Sequence, residues 1–272
     1  MVESIRELRK ICQSKKQPLY MRLVSMKISI YITKLLLYTK ISADYVTMFM
    51  ILLLIVGSVL MAFGSLWMLF IGIMIIHFTI ILDNVNGEVA RYNKEDGIIG
   101  TFLEQVYHNL AVPFLFFGLA FGVFSKIGIK SILVFGFLAS IFGMPIILKS
   151  IKDAIIDERS AEIRKNLKPK KTSIKGGLNV EGGSSISGKA LYKAYNNFRA
   201  FWVYPANIVH ITVLAIIEMI NVKYGFAPRY IFFAFYIYLY GTVSTIIQTA
   251  AFIVNYKGKT ADHYYQFFFG SK

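Results

Sequence analysis

Residues 45–82 form a run of 38 positions without a single Asp, Glu, Lys or Arg. With a rise of about 1.5 Å per residue, this run as one helix would be roughly 57 Å long, nearly twice the thickness of a bilayer core. We therefore expect two membrane-spanning helices here, joined by a turn at Gly64 and Ser65. Apolar segments in hydrocarbon must satisfy their own backbone hydrogen bonds, which favours helices. The run predicts a membrane protein with several spans.

The composition supports this interpretation. Of 272 residues, 56% are hydrophobic and 17% are charged, whereas about 25% of the residues of a soluble domain are charged. An ordinary water-soluble enzyme is therefore not expected. The single cysteine, Cys12, excludes an internal disulfide framework and any cysteine-rich metal cluster. Residues 1–10 are charged and polar, so they lack the apolar core of a cleavable signal peptide.

Six apolar stretches of bilayer length predict an all-α integral membrane protein with six transmembrane helices. The predicted spans are residues 44–63, 66–86, 101–123, 131–150, 199–221 and 230–255. They define a membrane domain over 41–256, which follows a basic segment over 1–40 and precedes a tail over 257–272. The connection at about 151–198 is rich in Lys, Gly and Ser, which predicts a cytoplasmic loop.

Lys and Arg are divided unequally between the two sides of this arrangement. The side with both termini and the 87–100 and 151–198 connections carries 26 of the 30, and the opposite side carries 4. Because Lys and Arg are enriched in cytoplasmic loops, we expect that first side in the cytoplasm and an even number of spans. The net charge of +15 then reflects membrane orientation, and we predict no nucleic-acid partner.

Two basic segments lie outside the predicted spans. Residues 19–40 mix apolar and basic side chains, as expected of an amphipathic helix on the membrane surface whose basic face meets anionic lipids. An extended start of the first span is the alternative. In the long loop, residues 183–189 resemble a phosphate-binding loop, but Ala190 stands where that motif needs Ser or Thr. We set that motif aside.

Ionisable residues inside membrane spans are costly and usually functional. Here they gather where the second span ends and the third begins. Five residues of the first helix share one face, at offsets 0, 3, 4, 7 and 8: Asp83, Asn86, Gly87, Ala90 and Arg91. Three of the next helix share a face at offsets 0, 4 and 8: Gly100, Glu104 and His108. Antiparallel helices joined near 92–99 can turn both faces toward one cytoplasmic pocket.

These residues resemble the motif of the CDP-alcohol phosphotransferases, which is Asp-x2-Asp-Gly-x2-Ala-Arg, eight residues, then Gly-x3-Asp-x3-Asp. Every spacing matches over 26 residues of this chain. The six-helix plan and the basic N-terminal surface helix also resemble the family, and only the 151–198 loop is not covered. Three acidic positions differ, because the second, third and fourth Asp of the family are Asn86, Glu104 and His108 here.

The resemblance implies a metal-dependent site. One or two divalent cations, Mg²⁺ or Mn²⁺, would be held by Asp83, Asn86, Glu104 and His108, with His108 also the general base. Gly87, Ala90, Arg91 and Gly100 would shape the cytidine-diphosphate site. Each replacement still offers a metal ligand, namely an amide oxygen, a carboxylate or an imidazole nitrogen. We therefore expect an altered but working site, with weaker cation binding and a preference for Mn²⁺ or a softer ion over Mg²⁺.

The function implied is transfer of a phospho-alcohol or phosphatidyl group from a CDP-linked lipid or alcohol to an acceptor hydroxyl, with release of CMP. The acceptor would be a lipid, a sugar or a phosphorylated alcohol, in phospholipid or glycolipid synthesis, and the family is usually homodimeric. Two alternatives stay open. One is an inactive relative that binds nucleotide or lipid, and the other is a small transporter in which Asp83, Glu104 and His108 form an ion path.

Other polar residues of the spans are given structural roles. We expect His77 to pack within the second span, and His210 and Glu218 to form a buried contact or Glu218 to reach the far interface. Glu88 is expected at the wet edge of the pocket, with substitution for the carboxylate missing at position 86 as the alternative. The aromatic residues of the sixth span are expected to contact lipid or a second subunit.

Overall fold

The computed structural model describes residues 2–13, 25–95, 97–143, 202 and 204–257. Within that part the chain is all-helical. Its helices are α1 (Ile5–Cys12), α2 (Met26–Leu36), α3 (Ala43–Ala62), α4 (Leu66–Asn93), α5 (Ile98–Ile127), α6 (Ser131–Phe142), α7 (Ala206–Tyr224) and α8 (Ile231–Lys257). The predicted loop at 151–198 and all of the predicted tail after Lys257 lie outside the described residues.

Five helices are long and apolar enough to cross a membrane, namely α3, α4, α5, α7 and, over Ile231–Ala250, α8. The predictions for the first, third and sixth spans agree with α3, α5 and α8 to within a few residues. The predicted fourth span, 131–150, begins with α6, and its part beyond residue 143 lies outside the described residues. The predicted fifth span, 199–221, contains the start of α7 at Ala206, directly after Pro205, and residues 199–201 and 203 lie outside the described residues.

The helix that contains the predicted second span continues beyond residue 86. The sequence predicted that this helix would carry the motif face to Arg91 and join the next helix near 92–99, and α4 ends at Asn93, with residues 94–97 linking it to α5. The apolar stripe of α4 continues through Val85 and Val89, which are fully buried, so packing extends the helix beyond the hydrocarbon-length segment. Lys94 then ends the helix in a left-handed conformation (φ 55°).

α3 packs closely against both helices of the predicted site. Near the middle of α3, the Gly57 carbonyl oxygen lies 2.5 Å from the position a Cβ on Gly72 of α4 would take. On α5, a Cβ on Gly122 would lie 2.1 Å from the Met61 carbonyl oxygen. Neither approach has room for a side chain, so these glycines bring backbones together in the way small residues do in membrane helices.

The aromatic residues of α8 were expected to face lipid or a partner, and that prediction was wrong for half of the helix. Phe233 and Tyr240 are buried, and the Tyr240 ring stacks on Phe116 of α5 at a centroid distance of 4.2 Å. Phe235, on the opposite face, is 66% exposed. α8 therefore has one buried and one exposed aromatic face. The buried rings are part of the core, where they fill space beside α5 and α6.

Two short helices precede the spans, where the sequence predicted one surface helix. α1 starts with a capping box, in which the Glu7 N–H donates to Ser4 Oγ and the Ser4 N–H donates to the Glu7 carboxylate. Leu8 and Cys12 of α1 pack with Ile30 of α2 in a small buried cluster beside the end of α4. The N-terminal segment is thus attached to the helix that carries the first half of the motif.

Candidate functional site

α4 and α5 bring three side chains of the predicted site together. His108 Nε2 lies 3.6 Å from Asp83 Oδ1 and 3.7 Å from Glu104 Oε1. One ligand atom from each residue lies within 4.8 Å of the other two. The expected juxtaposition of the two helix faces is therefore present at the first, third and fourth positions of the motif. We call Asp83, Glu104 and His108 the acidic–histidine cluster.

The location of the cluster follows from the local sequence. Glu104 and His108 are four residues apart, so their side chains lie on one face of α5. The short α4–α5 turn is attached to α3, because the Glu95 carboxylate accepts a hydrogen bond from the Ala43 N–H at 2.9 Å. The cluster lies one to three helical turns from the α4–α5 connection, at the end of the bundle where α4 ends and α3 and α5 begin.

The donor set fits a divalent cation. Two carboxylates and an imidazole are hard-to-borderline ligands suited to Mg²⁺, Mn²⁺ or Zn²⁺. Metal–ligand distances of about 2.0–2.2 Å place neighbouring ligands about 3 Å apart, so distances of 3.6 and 3.7 Å need only a small contraction. Asp83 Oδ1 is buried and has no hydrogen-bond partner. A buried oxygen without a partner is costly, and a cation would satisfy it.

The cluster is accessible from one side. The side chain of Asp83 is 14% exposed, that of His108 30% and that of Glu104 49%. Exposure thus rises from Asp83 toward Glu104, so the ligand set has a buried wall and an open side. Such a partly open donor set leaves room for a substrate beside the ion, as in catalytic rather than structural metal sites.

The other predicted site residues lie along the same two helices. Asn86 is buried on α4 one turn after Asp83, and its role as a fourth ligand stays a prediction. Ala90 packs against the main core. Gly100 approaches α3, since a Cβ there would lie 3.2 Å from Asp44 Oδ1. The carboxylate of Asp44, at the start of α3, therefore lies beside Gly100.

Gly87 provides space for the guanidinium of Arg91. A Cβ on Gly87 would lie 3.1 Å from both Nη1 and Nη2 of Arg91. The Arg91 Nε donates to the backbone carbonyl of Cys12, at the end of α1. The arginine is thus held between its own helix and the N-terminal segment, a partner that helical periodicity alone does not reveal.

Glu88 is not at the wet edge of the pocket, which corrects the expectation from sequence. It is 1% exposed and accepts hydrogen bonds from Gln13, Ser29 and Thr33 of the N-terminal segment. These partners also argue against Glu88 as a substitute metal ligand, because both carboxylate oxygens are already engaged on the face toward α2. The polar composition of residues 25–33 was the only signal in the sequence.

Next to the cluster lies a hydroxyl network that sequence analysis did not identify. Tyr107 precedes His108 and is fully buried, and its hydroxyl group is 2.9 Å from both Thr79 Oγ1 and the Tyr204 hydroxyl group. The rings of Tyr107 and His108 are tilted at a centroid distance of 5.2 Å. Thr79 is one turn before Asp83 on α4, so the network continues the polar face of that helix into the membrane.

The remaining polar residues of the spans have structural partners. His77 Nε2 is 2.7 Å from Thr212 Oγ1, which links α4 to α7. His210 Nδ1 is 3.2 Å from the Tyr236 hydroxyl group. Glu218 is fully buried and accepts from the Tyr230 N–H at 2.7 Å, which ties α7 to the start of α8. The expected packing role of His77 thus has a specific contact, whereas His210 and Glu218, for which a mutual contact was one expectation, contact Tyr236 and Tyr230.

The one cysteine has an unusual environment. Burial raises the pKa of the Cys12 thiol to about 11, the nearby Glu88 carboxylate raises the pKa further, and Arg91 opposes the shift. Cys12 is fully buried in the cluster with Leu8 and Ile30. The thiol is therefore protonated and shielded at neutral pH.

The comparisons with known proteins add no assignment. A scan against protein-family models and a search of curated proteins both gave no match to this chain.

Proposed function

We propose that this protein is a membrane phosphotransferase related to the CDP-alcohol phosphotransferases. It would transfer a phospho-alcohol or phosphatidyl group from a CDP-linked donor to an acceptor hydroxyl and release CMP. Two observations support the proposal together. The 26-residue motif has the family spacing at every position, and three of its four metal positions lie within 4.8 Å of one another across α4 and α5.

The reaction makes a bond between the acceptor oxygen and the phosphorus that bears the alcohol, and it breaks the bond from that phosphorus to the CMP oxygen. A divalent cation held by Asp83, Glu104 and His108 would neutralise charge on the pyrophosphate. Arg91 adds a positive charge on the same side of α4, which favours a bound diphosphate. The buried wall at Asp83 limits water, so these charges act in a medium of lower dielectric constant.

His108 has two proposed roles that depend on one atom. Nε2 is the nitrogen that faces both carboxylates, so it is the candidate for either role, as a metal ligand or as the acceptor of the hydroxyl proton; its one lone pair serves only one of them in a given complex. An imidazole is a better base at neutral pH than an ordinary carboxylate, because its reference pKa is about 6.5. A substitution that retains a ligand atom but not a base separates the two roles.

The topology belongs to the same proposal. We place six spans in the membrane, with residues 131–150 as the fourth, and both termini and the site in the cytoplasm, because that side carries 26 of the 30 Lys and Arg residues. α1 and α2 would lie on the membrane surface. α2 supports this location, since Tyr31 and Leu35 are 61% and 68% exposed beside Lys27, and apolar residues flanked by basic ones suit a lipid interface. We propose a homodimer by family resemblance.

The test is CMP release by the purified full-length protein in lipid nanodiscs. CDP-diacylglycerol and soluble CDP-alcohols are supplied in turn as donors, with polyol, sugar and lipid acceptors, at varied Mn²⁺ and Mg²⁺. We expect metal-dependent CMP release that Asp83→Asn abolishes, while the matched variant Glu3→Gln retains it. Nucleotide binding without turnover would favour an inactive relative, and solute flux without CMP release would favour a transporter. Either result would refute the proposed reaction.

A further inference from the structure

Glu88 is a buried carboxylate that the proposed reaction does not use. Three donors satisfy it: Gln13 Nε2 and Ser29 Oγ lie 2.7 Å from Oε1, and Thr33 Oγ1 lies 2.5 Å from Oε2. All three donors belong to the N-terminal segment, and none belongs to α4. A buried carboxylate is tolerated only where it is fully hydrogen-bonded, so this attachment is specific rather than a general packing contact.

Gln13 carries the attachment to the end of α1. Its Nε2 also donates to the Met26 carbonyl at 2.7 Å, so one amide joins α4, α2 and the residue that follows α1. The residue before it, Cys12, presents its carbonyl to the Arg91 Nε. Glu88 and Arg91 are three residues apart on α4, and they hold two consecutive residues of the N-terminal segment.

This contact determines where the guanidinium of Arg91 lies. With Nε engaged by Cys12, the two remaining nitrogens lie over Gly87, each 3.1 Å from the position of a Cβ there. Gly87 is four residues after Asp83, so the guanidinium covers the same face of α4 one turn from the acidic–histidine cluster. The two remaining guanidinium nitrogens lie beside the cation site, so they are suited to donate hydrogen bonds to an anion that is also a ligand of the cation.

The geometry points to Glu88 as a positioning residue that acts through Arg91. It holds the end of α1 against α4, the Cys12 carbonyl orients Arg91, and Arg91 then contacts a metal-bound diphosphate at the cluster. The N-terminal segment is thereby part of the anion site and not only an attachment to the membrane surface. The identity of the ligand rests on the proposed function, whereas the contact between α1 and Arg91 does not.

The first arm of the test measures the attachment without any ligand. Cys12 is the single cysteine, so its rate of reaction with a maleimide reports how often the end of α1 leaves α4. Glu88→Leu removes the acceptor and should raise that rate about tenfold or more, because a lost hydrogen bond to a charged group changes an equilibrium by at least that factor. The matched control Asn84→Ala removes a bond to Ser25 at the start of α2 and should leave the rate within about twofold. An unchanged rate in Glu88→Leu overturns the attachment.

The second arm measures binding by calorimetry, with Mn²⁺ alone and then with CDP at saturating Mn²⁺. We expect Arg91→Ala and Glu88→Leu each to weaken CDP binding about tenfold or more, and the double variant to bind no more weakly than Arg91→Ala. Glu88→Gln keeps an acceptor oxygen and should recover most of the affinity. Binding of Mn²⁺ alone should stay unchanged in Glu88→Leu.

The outcomes separate this inference from the proposed function. Two outcomes would overturn the positioning role, because each would mean that Glu88 acts on the fold in general. In one, the losses of CDP affinity in the two single variants add in the double variant. In the other, Glu88→Leu weakens Mn²⁺ binding as much as it weakens CDP binding. If the unaltered protein binds Mn²⁺ but not CDP, the proposed function fails and the diphosphate role of Arg91 fails with it. The alkylation rates would still decide whether Glu88 holds α1 against α4.

Discussion

Replacement of Asp83 by Asn should stabilise the metal-free protein and abolish its stabilisation by metal. Asp83 Oδ1 is buried and accepts no hydrogen bond, with His108 Nε2 3.6 Å away, and removal of a buried carboxylate oxygen that accepts no hydrogen bond recovers about 1 kcal/mol or more. In the unaltered protein, Mn²⁺ at a hundred times its Kd should add about 2.7 kcal/mol of stability. For a chain of this size, that is a rise in the unfolding midpoint of roughly 5–10 °C.

The assay is loss of helical circular dichroism on heating in detergent, with and without Mn²⁺. We expect the Asp83→Asn midpoint without metal to rise by a few degrees, about 2–4 °C per kcal/mol, and the Mn²⁺-dependent increment to disappear. Glu3→Gln is the matched control, because Glu3 accepts a hydrogen bond from Tyr92 far from the cluster and Gln can still accept it. A lower midpoint together with a retained Mn²⁺ increment would refute the assignment of Asp83 as a metal ligand.

Three further outcomes are expected. His108→Gln should lower kcat for CMP release about 100-fold or more but weaken Mn²⁺ binding about tenfold or less, because an amide can bind a metal but cannot accept the proton. If kcat and Mn²⁺ affinity fell by the same factor, the result would contradict the base role. Cys12 is fully buried and its pKa is raised to about 11, so it should react with iodoacetamide at pH 8 roughly a hundred times more slowly than a free thiol. Ordinary reactivity at pH 8 would contradict its burial. Gly122→Ala should destabilise the protein by about 1–3 kcal/mol in thermal unfolding, since its Cβ would lie 2.1 Å from the Met61 carbonyl oxygen. Gly97→Ala should destabilise less, because no atom lies within 4 Å and only the preference for Gly over Ala at the N-cap of α5 is lost.

Much of the fold could be predicted from hydrophobicity alone. The spans now seen as α3, α5 and α8 were located because runs of bilayer length must form helices. The helix of the second span was expected to carry Arg91 and to join the next helix near 92–99, and α4 does end at Asn93, because Val89 stays buried and extends the helix beyond the apolar segment. The N-terminal helix α1 was not predicted, since a helix of eight residues gives little periodic signal.

The three-residue cluster could be predicted because each helix repeats every 3.6 residues, so fixed spacings define a face before any contact is known. The same argument failed for Glu88. It lies off that face, and a charged residue at a span end was assigned to water. Its partners, Gln13, Ser29 and Thr33, are 55 to 75 residues away in the chain. Local patterns do not show which distant hydroxyl or amide groups will satisfy a carboxylate.

α3 contributes no side chain to the cluster, yet it sets the width of the opening between the helices that do. The close backbone approaches at Gly57 and Gly122 fix α4 and α5 against neighbouring positions of this one helix, since Gly72 of α4 meets the Gly57 carbonyl and Gly122 of α5 meets the Met61 carbonyl. A single added methyl group at either glycine would therefore push a helix away from α3, and it would change the distance across the metal site from 14 to 51 residues away in the chain. Variants that lose metal affinity should thus include positions deep in the bilayer, far from any ligand atom.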